Sequence, residues 1–257
     1  MTSPKGESGR TPATVAASWR RIEAWIGSHL PIQRLTLRPG ISKKDLAKYE
    51  AILGRTLPDD VRESWLIHDG QRWIDDQAEH PDFNIDDADN RRVQGLVFGG
   101  KLLPLLDDRK SLAGRSSSRE WREWARRMDE DPSLVAEIGE GCASFPGGAI
   151  QHLYSSRGWI PLVEVLSSVR IGVDLMPGPE GTVGQVINFG RDAQDRYVLA
   201  VSWAHFLEDL ADELDAGNFA LIDDGERAFG MARPVRGAID LNFRAWAEAK
   251  REGRLLE

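Results

Sequence analysis

The chain has 257 residues, and its 33 Lys and Arg against 41 Asp and Glu give a formal net charge of −8 at pH 7. Hydrophobic residues make up 41% and charged residues 29%, which excludes a chain disordered throughout and one embedded in a membrane. No apolar run approaches the roughly 20 residues of a membrane-spanning helix. Because nucleic-acid phosphates and anionic lipids repel an acidic protein, we expect neither as a direct partner; a basic protein fits the charge better.

The cellular compartment is predicted from cysteine usage and from the N-terminus. Cys142 is the only cysteine, so the chain forms no intrachain disulfide, and no multi-thiolate zinc site is possible. Residues 1–14 lack the apolar segment of a secretory signal. These features predict a cytoplasmic protein without a cofactor.

The first predicted elements are a tail and a helix. Residues 1–12 carry almost no apolar side chains and predict a disordered tail. A helix with an N-cap at Thr11 and an end at Pro31 follows. Its buried face is predicted from apolar residues three or four apart: Val15, Trp19, Ile22, Ile26 and Leu30.

Two short helices are predicted next from their end signals. Ser42 followed by Asp45 resembles a capping box, and Gly54 stands where a left-handed C-cap belongs. Pro58 suits a first helical position, and the next helix should span residues 58–68.

Residues 75–90 predict an acidic surface loop, because they contain no Lys or Arg and no apolar period. Short strands at 96–98 and 102–106 should follow, and then a helix that begins near Ser117. Its inward residues would be Trp121, Trp124 and Met128.

The strongest β pattern is a hairpin. Apolar residues alternate from Val169 to Leu175, a Pro- and Gly-rich loop occupies 177–184, and a second strand covers 185–189. Glycines at 178, 181 and 184 are typical of hairpin turns, since they do not lead from a strand into a helix as a dinucleotide-binding loop would.

Another strand is predicted at 197–201, and Ser202 should cap an amphipathic helix. A last helix should begin near Asp240, with Phe243 and Trp246 as anchors. Helices, then an antiparallel sheet, then helices indicate an α+β fold. The outer face of the helix after Ser202 is predicted to expose five acids: Glu208, Asp209, Asp212, Glu213 and Asp215.

The search for catalytic chemistry finds weak candidates. The chain lacks a nucleophile elbow, a phosphate-binding loop and a zinc-protease helix motif. Cys142 and His152 could form a thiol–imidazole pair, but an inert buried cysteine is the simpler interpretation. His68 beside Asp69 could act as a base, although a histidine at a helix end is commoner.

The acidic segment has three interpretations: a solvated loop, a docking surface for a basic partner, or a metal site. The calcium-loop pattern fails, because Gly and Glu are missing at the required positions. Trp73, next to the segment, could anchor an interface. Asp174 lies in a predicted strand and either holds the neighbouring turn through backbone N–H groups or contacts a partner.

Several motifs in order resemble the SUKH superfamily of yeast cell-wall regulators and bacterial relatives. The N-terminal motifs are Leu37-Arg-Pro-Gly-Ile-Ser42, Leu57-Pro-Asp-Asp60 and His68-Asp-Gly-Gln71. The later motifs are Gly100-Lys-Leu-Leu-Pro104, Gly158-Trp-Ile-Pro161 and the run from Val173 to Ile187. The resemblance covers roughly residues 15–219; residues 167–170 depart from the usual Gly/Asp-rich turn.

The resemblance implies a single α+β domain without known catalysis, with N-terminal helices before a mainly antiparallel sheet flanked by helices. We expect a tail at 1–12, a SUKH-like domain at 13–219 and an extension at 220–257 whose terminal helix packs on the domain. In bacteria the family supplies immunity proteins that bind and neutralise toxins, often nucleases, and in fungi regulatory scaffolds.

The function expected at this stage is that of a bacterial immunity protein that occludes a cognate, basic protein toxin. The alternative is a regulatory or adaptor scaffold in a secretion or cell-envelope pathway. Neither function needs a catalytic residue, and no metal is expected. The predicted partner-binding residues are Trp73, Asp75, Asp76, Glu79, Asp82, Asp86, Asp87, Asp89, Asp174, Glu208 and Asp212.

Overall fold

The computed structural model describes most of the chain. The described residues are 11–29, 36–71, 100–105, 123, 126–127, 130–131, 133, 141–165, 169–190, 192–222, 229–234 and 243–255. They belong to two compact units. The sheet unit consists mainly of residues within 106–206 and 243–254, and the helical unit of residues within 12–105 and 207–242.

Five helices are formed by the described residues: α1 (Val15–His29), α2 (Lys43–Leu53), α3 (Asp59–Ile67), α4 (Trp203–Asp215) and α5 (Phe243–Arg251). The strands are β1 (Lys101–Leu102), β2 (Ala143–Phe145), β3 (Trp159–Val165), β4 (Val169–Asp174), β5 (Gln185–Gly190), β6 (Asp195–Ala200), β7 (Phe219–Ile222) and β8 (Phe229–Pro234). Helices precede a mainly antiparallel sheet, which confirms the predicted α+β class.

The helical unit begins with α1, whose predicted N-cap needs correction. Thr14, and not Thr11, caps the helix, since its Oγ1 accepts the Ala17 N–H at 3.2 Å. The predicted apolar face is buried at Val15, Trp19, Ile22 and Ile26; Leu30 lies outside the described residues. Trp19 donates from its indole to Ser64 Oγ of α3 at 3.0 Å, so this face packs against α3.

Both short helices of the helical unit form close to their predicted bounds. The Ser42 side chain accepts the Asp45 N–H, and Gly54 ends α2 with a φ of 71°, which an L side chain rarely adopts. Pro58 directly precedes α3, as its fixed φ predicts.

Predictions between residues 72 and 140 are tested only in part. The acidic segment 75–90 and the strand at 96–98 lie outside the described residues. The predicted strand at 102–106 is shorter and earlier, at Lys101–Leu102. Residues 123, 126, 127 and 130 are helical, in agreement with the predicted helix after Ser117; Trp121, Trp124 and Met128 are outside the described part.

The strands of the sheet unit lie in the order β3-β4-β5-β6-β2, with β2 parallel to β6 and the other pairs antiparallel. The predicted hairpin is β4–β5, in which Val169 pairs with Gly190 and Asp174 with Gln185. On α5, Trp246 is fully buried and donates from its indole to the Leu199 carbonyl of β6 at 3.0 Å. The terminal helix is therefore part of this unit's core.

Candidate functional site

The loop that joins β4 to β5, residues 175–184, is closed at its base by a buried carboxylate. Asp174 has no exposed surface. Its Oδ1 accepts the Met176 N–H at 2.9 Å, and its Oδ2 accepts from Gln185 Nε2 at 3.2 Å. Trp159 of β3 is the cross-strand partner of Asp174 on the other side. Asp174 thus holds the first turn of the loop against the first residue of the returning strand.

Gln185 links the same loop to a second one, residues 146–151. Its Nε2 also donates to the Ala149 carbonyl at 2.9 Å, and its Oε1 accepts the Thr182 N–H at 3.0 Å. Its side-chain amide therefore has partners on both sides. Asp174 and Gln185 are a directly opposed pair in the β4–β5 register, which explains why they meet.

Backbone bonds join the two loops further along. The Gly178 N–H donates to the Ala149 carbonyl at 2.9 Å, and the Glu180 N–H donates to the Gly148 carbonyl at 3.0 Å. A Cβ atom on Gly178 would lie 2.2 Å from the Gly148 carbonyl oxygen, so only glycine permits this approach. We call the two joined loops, 146–151 and 175–184, the paired-loop site.

The paired-loop site presents apolar side chains to solvent from a fixed backbone. Met176 is 40% exposed and Val183 is 67% exposed. Phe145, directly before the first loop, is 43% exposed and stacks on Tyr197 with ring centroids 5.0 Å apart. Exposed apolar groups on a rigid loop pair are suited to protein–protein contact, because little conformational freedom is lost on binding.

Burial sets the protonation behaviour of Asp174. Desolvation raises the pKa of this carboxyl to about 6. The hydrogen bonds from Met176 and Gln185 oppose that shift, because they favour the charged form. Burial is the larger effect, so the group changes protonation close to neutral pH.

Asp174 was predicted as a partner contact, and its burial corrects that assignment. A side chain with 0% exposure presents no surface to a partner. Of its two predicted roles, the turn-holding one matches the contacts, since the carboxylate accepts the Met176 N–H. The tertiary reason is that Trp159 of β3 lies directly opposite Asp174 and covers it.

The acidic face predicted for α4 is only partly exposed. Asp209 is 6% exposed and Glu213 0%, so the expectation that both face solvent is wrong. Glu213 accepts from Asn218 Nδ2 at 2.6 Å. More of the surface of α4 is therefore buried within the protein than its amphipathic pattern predicts.

The predicted contact residues on α4 occupy different surroundings. Asp212 is half-exposed, and Arg21 of α1 binds it at 2.8 Å and binds Asp215 at 2.5 Å. Glu208 is partly exposed. Asp212 is therefore already neutralised within the helical unit and is a poor steering charge.

The other predicted contacts lie outside the described residues. They are Trp73, Asp75, Asp76, Glu79, Asp82, Asp86, Asp87 and Asp89. Their role as a docking surface stays a prediction.

The candidate catalytic groups, Cys142, His152 and His68, differ in burial and in hydrogen-bond partners. Cys142 is buried, and Arg196 donates to its Sγ at 3.1 Å, whereas His152 is exposed. His68 binds Glu23 Oε1 through Nε2 at 2.9 Å, with Nδ1 3.1 Å from the Arg38 carbonyl oxygen. These contacts give both Cys142 and His68 a structural role.

Arg196 is a central residue of the sheet unit that sequence reasoning missed. It is 1% exposed, and its guanidinium lies 4.7 Å from the centroid of the Trp159 ring. It donates to the Leu153 carbonyl, and burial lowers the pKa of the guanidinium from its ordinary value. No local pattern marks a buried arginine on a strand, but the Asp174–Gln185 pair could have been found from the hairpin register.

The described residues show neither a metal site nor a membrane-spanning helix. Over the residues that the structure describes, no group of three or more His, Cys, Asp or Glu side chains is arranged to hold a metal ion. Among those same residues, no helix has the length and apolar character needed to cross a bilayer.

Replacing Gln185 with leucine should destabilise the sheet unit by about 2 kcal/mol, because the Ala149 carbonyl, the Thr182 N–H and Asp174 Oδ2 each lose a partner. Urea unfolding followed by tryptophan fluorescence would measure the change. Gln194→Leu, at an exposed position, is the matched control. Equal stability of the two variants would show that the Gln185 bonds contribute nothing.

The order of the elements, helices before a mainly antiparallel sheet, defines an α+β protein. The model of the SMI1 / KNR4 family (SUKH-1) matches residues 40–209. The chain belongs to this family.

Curated relatives align with nearly the whole chain. The cell wall biosynthesis/cell cycle regulator smi1 of Schizosaccharomyces pombe is 35% identical over 97% of this chain and 46% of its own length. The cell wall assembly regulator SMI1 of Saccharomyces cerevisiae is 30% identical, over 89% of this chain and 46% of its own. The glucan synthesis regulatory protein of Neurospora crassa is 32% identical, over 86% and 44%. The chain thus spans less than half the length of these relatives.

These relatives overturn the expected function. A bacterial immunity protein with a cognate toxin as partner was expected, and the similar proteins are instead fungal regulators of the cell wall. The error has a physical origin: an acidic surface complements any basic partner and does not distinguish a toxin from a regulatory target. The S. pombe alignment also extends into residues 220–257, beyond the motifs that carry the resemblance.

Proposed function

We propose that this chain is a non-enzymatic regulatory or adaptor protein of cell-wall assembly that acts in the cytoplasm by binding other proteins. The observation that carries the proposal is the alignment of nearly the whole chain with regulators of cell-wall biosynthesis. Fold alone would not support it, because one fold serves many functions.

The chemistry of the described residues supports a binding role. The thiol of Cys142 is enclosed beside Arg196, and the imidazole of His68 is held by Glu23. Neither group has the geometry of an activated nucleophile or of a base open to substrate. The paired-loop site, in contrast, offers exposed apolar groups on a rigid backbone.

A chimera tests the proposal. The chimera is the S. cerevisiae relative in which the segment aligned with this chain is replaced by this chain, with the rest of the relative kept. It is expressed in S. cerevisiae cells that lack the relative. We expect the chimera to restore resistance to a wall-binding dye and wall glucan content. The relative without the aligned segment is the negative control. A stably expressed chimera that restores neither property would contradict the proposal.

Partner capture tests the adaptor role directly. The tagged chimera is purified from the rescued cells, and its associated proteins are identified by mass spectrometry. Val183→Asp, on the paired-loop site, is expected to lose associated proteins that Leu255→Asp, at another exposed apolar position, retains. Identical sets for both variants would remove the paired-loop site from the interface.

A further inference from the structure

Helix α2 carries a basic outer face in an otherwise acidic protein. Lys43, Lys44 and Lys48 are all exposed, and Arg55 follows directly after the Gly54 cap. Lys44, Lys48 and Ile52 are spaced four residues apart and therefore form one stripe along the helix. The opposite face, with Leu46 and Tyr49, is buried in the helical unit.

The cations of this face have no partner within the described part of the chain. None of Lys43, Lys44, Lys48 and Arg55 forms an ion pair there. Nearby arginines behave differently: Arg62 binds Asp59 at 3.1 Å. Among the described residues, nothing therefore neutralises the positive charge of the stripe.

The acids of α2 are occupied by local structure and do not neutralise the stripe. Asp45 Oδ2 accepts from Ser42 Oγ at 2.7 Å at the start of the helix. Glu50 Oε1 accepts the Leu57 N–H at 2.9 Å and lies 3.3 Å from Arg62 Nε. Both carboxylates are directed to the ends of the helix and to α3.

An exposed apolar side chain completes the stripe. Ile52 is 66% exposed, one helical turn beyond Lys48. The side chains of Ala47 and Ala51 are exposed and small, so they leave the surface open for another chain to approach. Cations beside an exposed aliphatic group match a segment that alternates carboxylates with apolar residues.

We propose that the stripe of Lys44, Lys48, Ile52 and Arg55 on α2 is a docking site for an acidic peptide segment of a partner protein. Carboxylates of the segment pair with the lysines, and an apolar side chain packs on Ile52. The net charge of −8 selects this occupant over an anionic membrane, because a broad negative surface would repel the rest of the protein. The proposal rests on the proposed function, for which it names the partner chemistry.

A titration with defined peptides tests the site. The full chain is titrated into a fluorescein-labelled peptide of alternating Glu and Leu, and into the same peptide with Gln in place of Glu. We expect the Glu peptide to bind and the affinity to fall as salt is raised, since the attraction is between exposed charges. Lys44→Glu with Lys48→Glu should weaken binding about tenfold or more, because two attractions become repulsions.

The controls decide between this site and general charge effects. Arg20→Glu with Arg251→Glu makes the same charge change at exposed positions elsewhere and should leave binding within about twofold. Ile52→Ser should weaken binding without changing its salt dependence. Circular dichroism confirms that each variant folds.

Four outcomes would overturn the proposal: no binding of the Glu peptide, equal binding of the Gln peptide, equal losses in the two charge-reversed variants, or binding only to vesicles of anionic lipid. The chimera assay separates this failure from failure of the proposed function. If the chimera restores the wall but the chain does not bind the Glu peptide, only the docking-site proposal is overturned. A chimera that fails while the peptide binds at α2 overturns the function alone.

Discussion

Trp246→Ala is expected to destabilise the protein by about 3–5 kcal/mol, the range for removal of a buried tryptophan from a core. The indole is 0% exposed, packs on Phe206 with centroids 5.6 Å apart, and donates to the Leu199 carbonyl at 3.0 Å. Its loss leaves a cavity between α5 and β6 and an unpaired carbonyl. Because typical domains are stable by only about 5–15 kcal/mol, this loss removes a large part of the unfolding free energy.

Denaturant unfolding and thermal melting would measure this effect. Arg244→Ala on the same helix is the control, since its ion pair with Glu248 lies on the exposed surface and contributes little to stability. A Trp246→Ala variant as stable as the control would mean that α5 is not part of the core of the sheet unit.

The unfolding free energy is expected to fall by about 3 kcal/mol, through Asp174 alone, as the pH rises from below 4 to above 6. The folded-state pKa of about 6 lies above the ordinary 3.8, so the folded protein holds this proton more tightly than the unfolded chain. The stabilisation is complete below the unfolded pKa and is lost as the pH passes through the folded one. The direction is opposite to that of a carboxylate in an ion pair.

Comparison with Asp174→Asn isolates this contribution, because asparagine keeps an acceptor for the Met176 N–H and does not titrate. The unfolding free energy of the Asp174 protein minus that of the Asp174→Asn variant should therefore fall steadily between about pH 4 and pH 7. Asp195→Asn, at an exposed position, is the control for the loss of one carboxylate. A constant difference for Asp174→Asn would show that its pKa is not raised.

The paired-loop site and the α2 stripe divide the surface chemistry between two places. The first offers apolar groups, Met176 and Val183, on a loop held by Asp174, and the second offers exposed cations around Ile52. The two surfaces therefore favour partner segments of different chemistry.

Sequence patterns predicted correctly those parts of the fold that depend on interactions between residues close in the chain. The Ser42 and Gly54 ends of α2 appear as predicted, because capping involves residues within a single turn. The β4–β5 hairpin appears for the same reason, since its period-two pattern and Gly-rich loop determine which residues pair. The family motifs from Leu37 to Ile187 likewise belong to the sequence, and the matching family model confirms the resemblance.

Tertiary structure alone decided what covers each polar group. An alternating strand pattern leaves Asp174 either solvated or enclosed, and its burial beside Trp159 of β3 is a feature of the folded sheet. Helical periodicity places Asp209 and Glu213 outside, whereas both are buried in the folded protein. Burial depends on contacts between different elements, and such contacts leave no mark in the periodicity of one element. The sequence by itself therefore determined the elements and the family, and the tertiary structure determined which of the described carboxylates are buried and which are exposed.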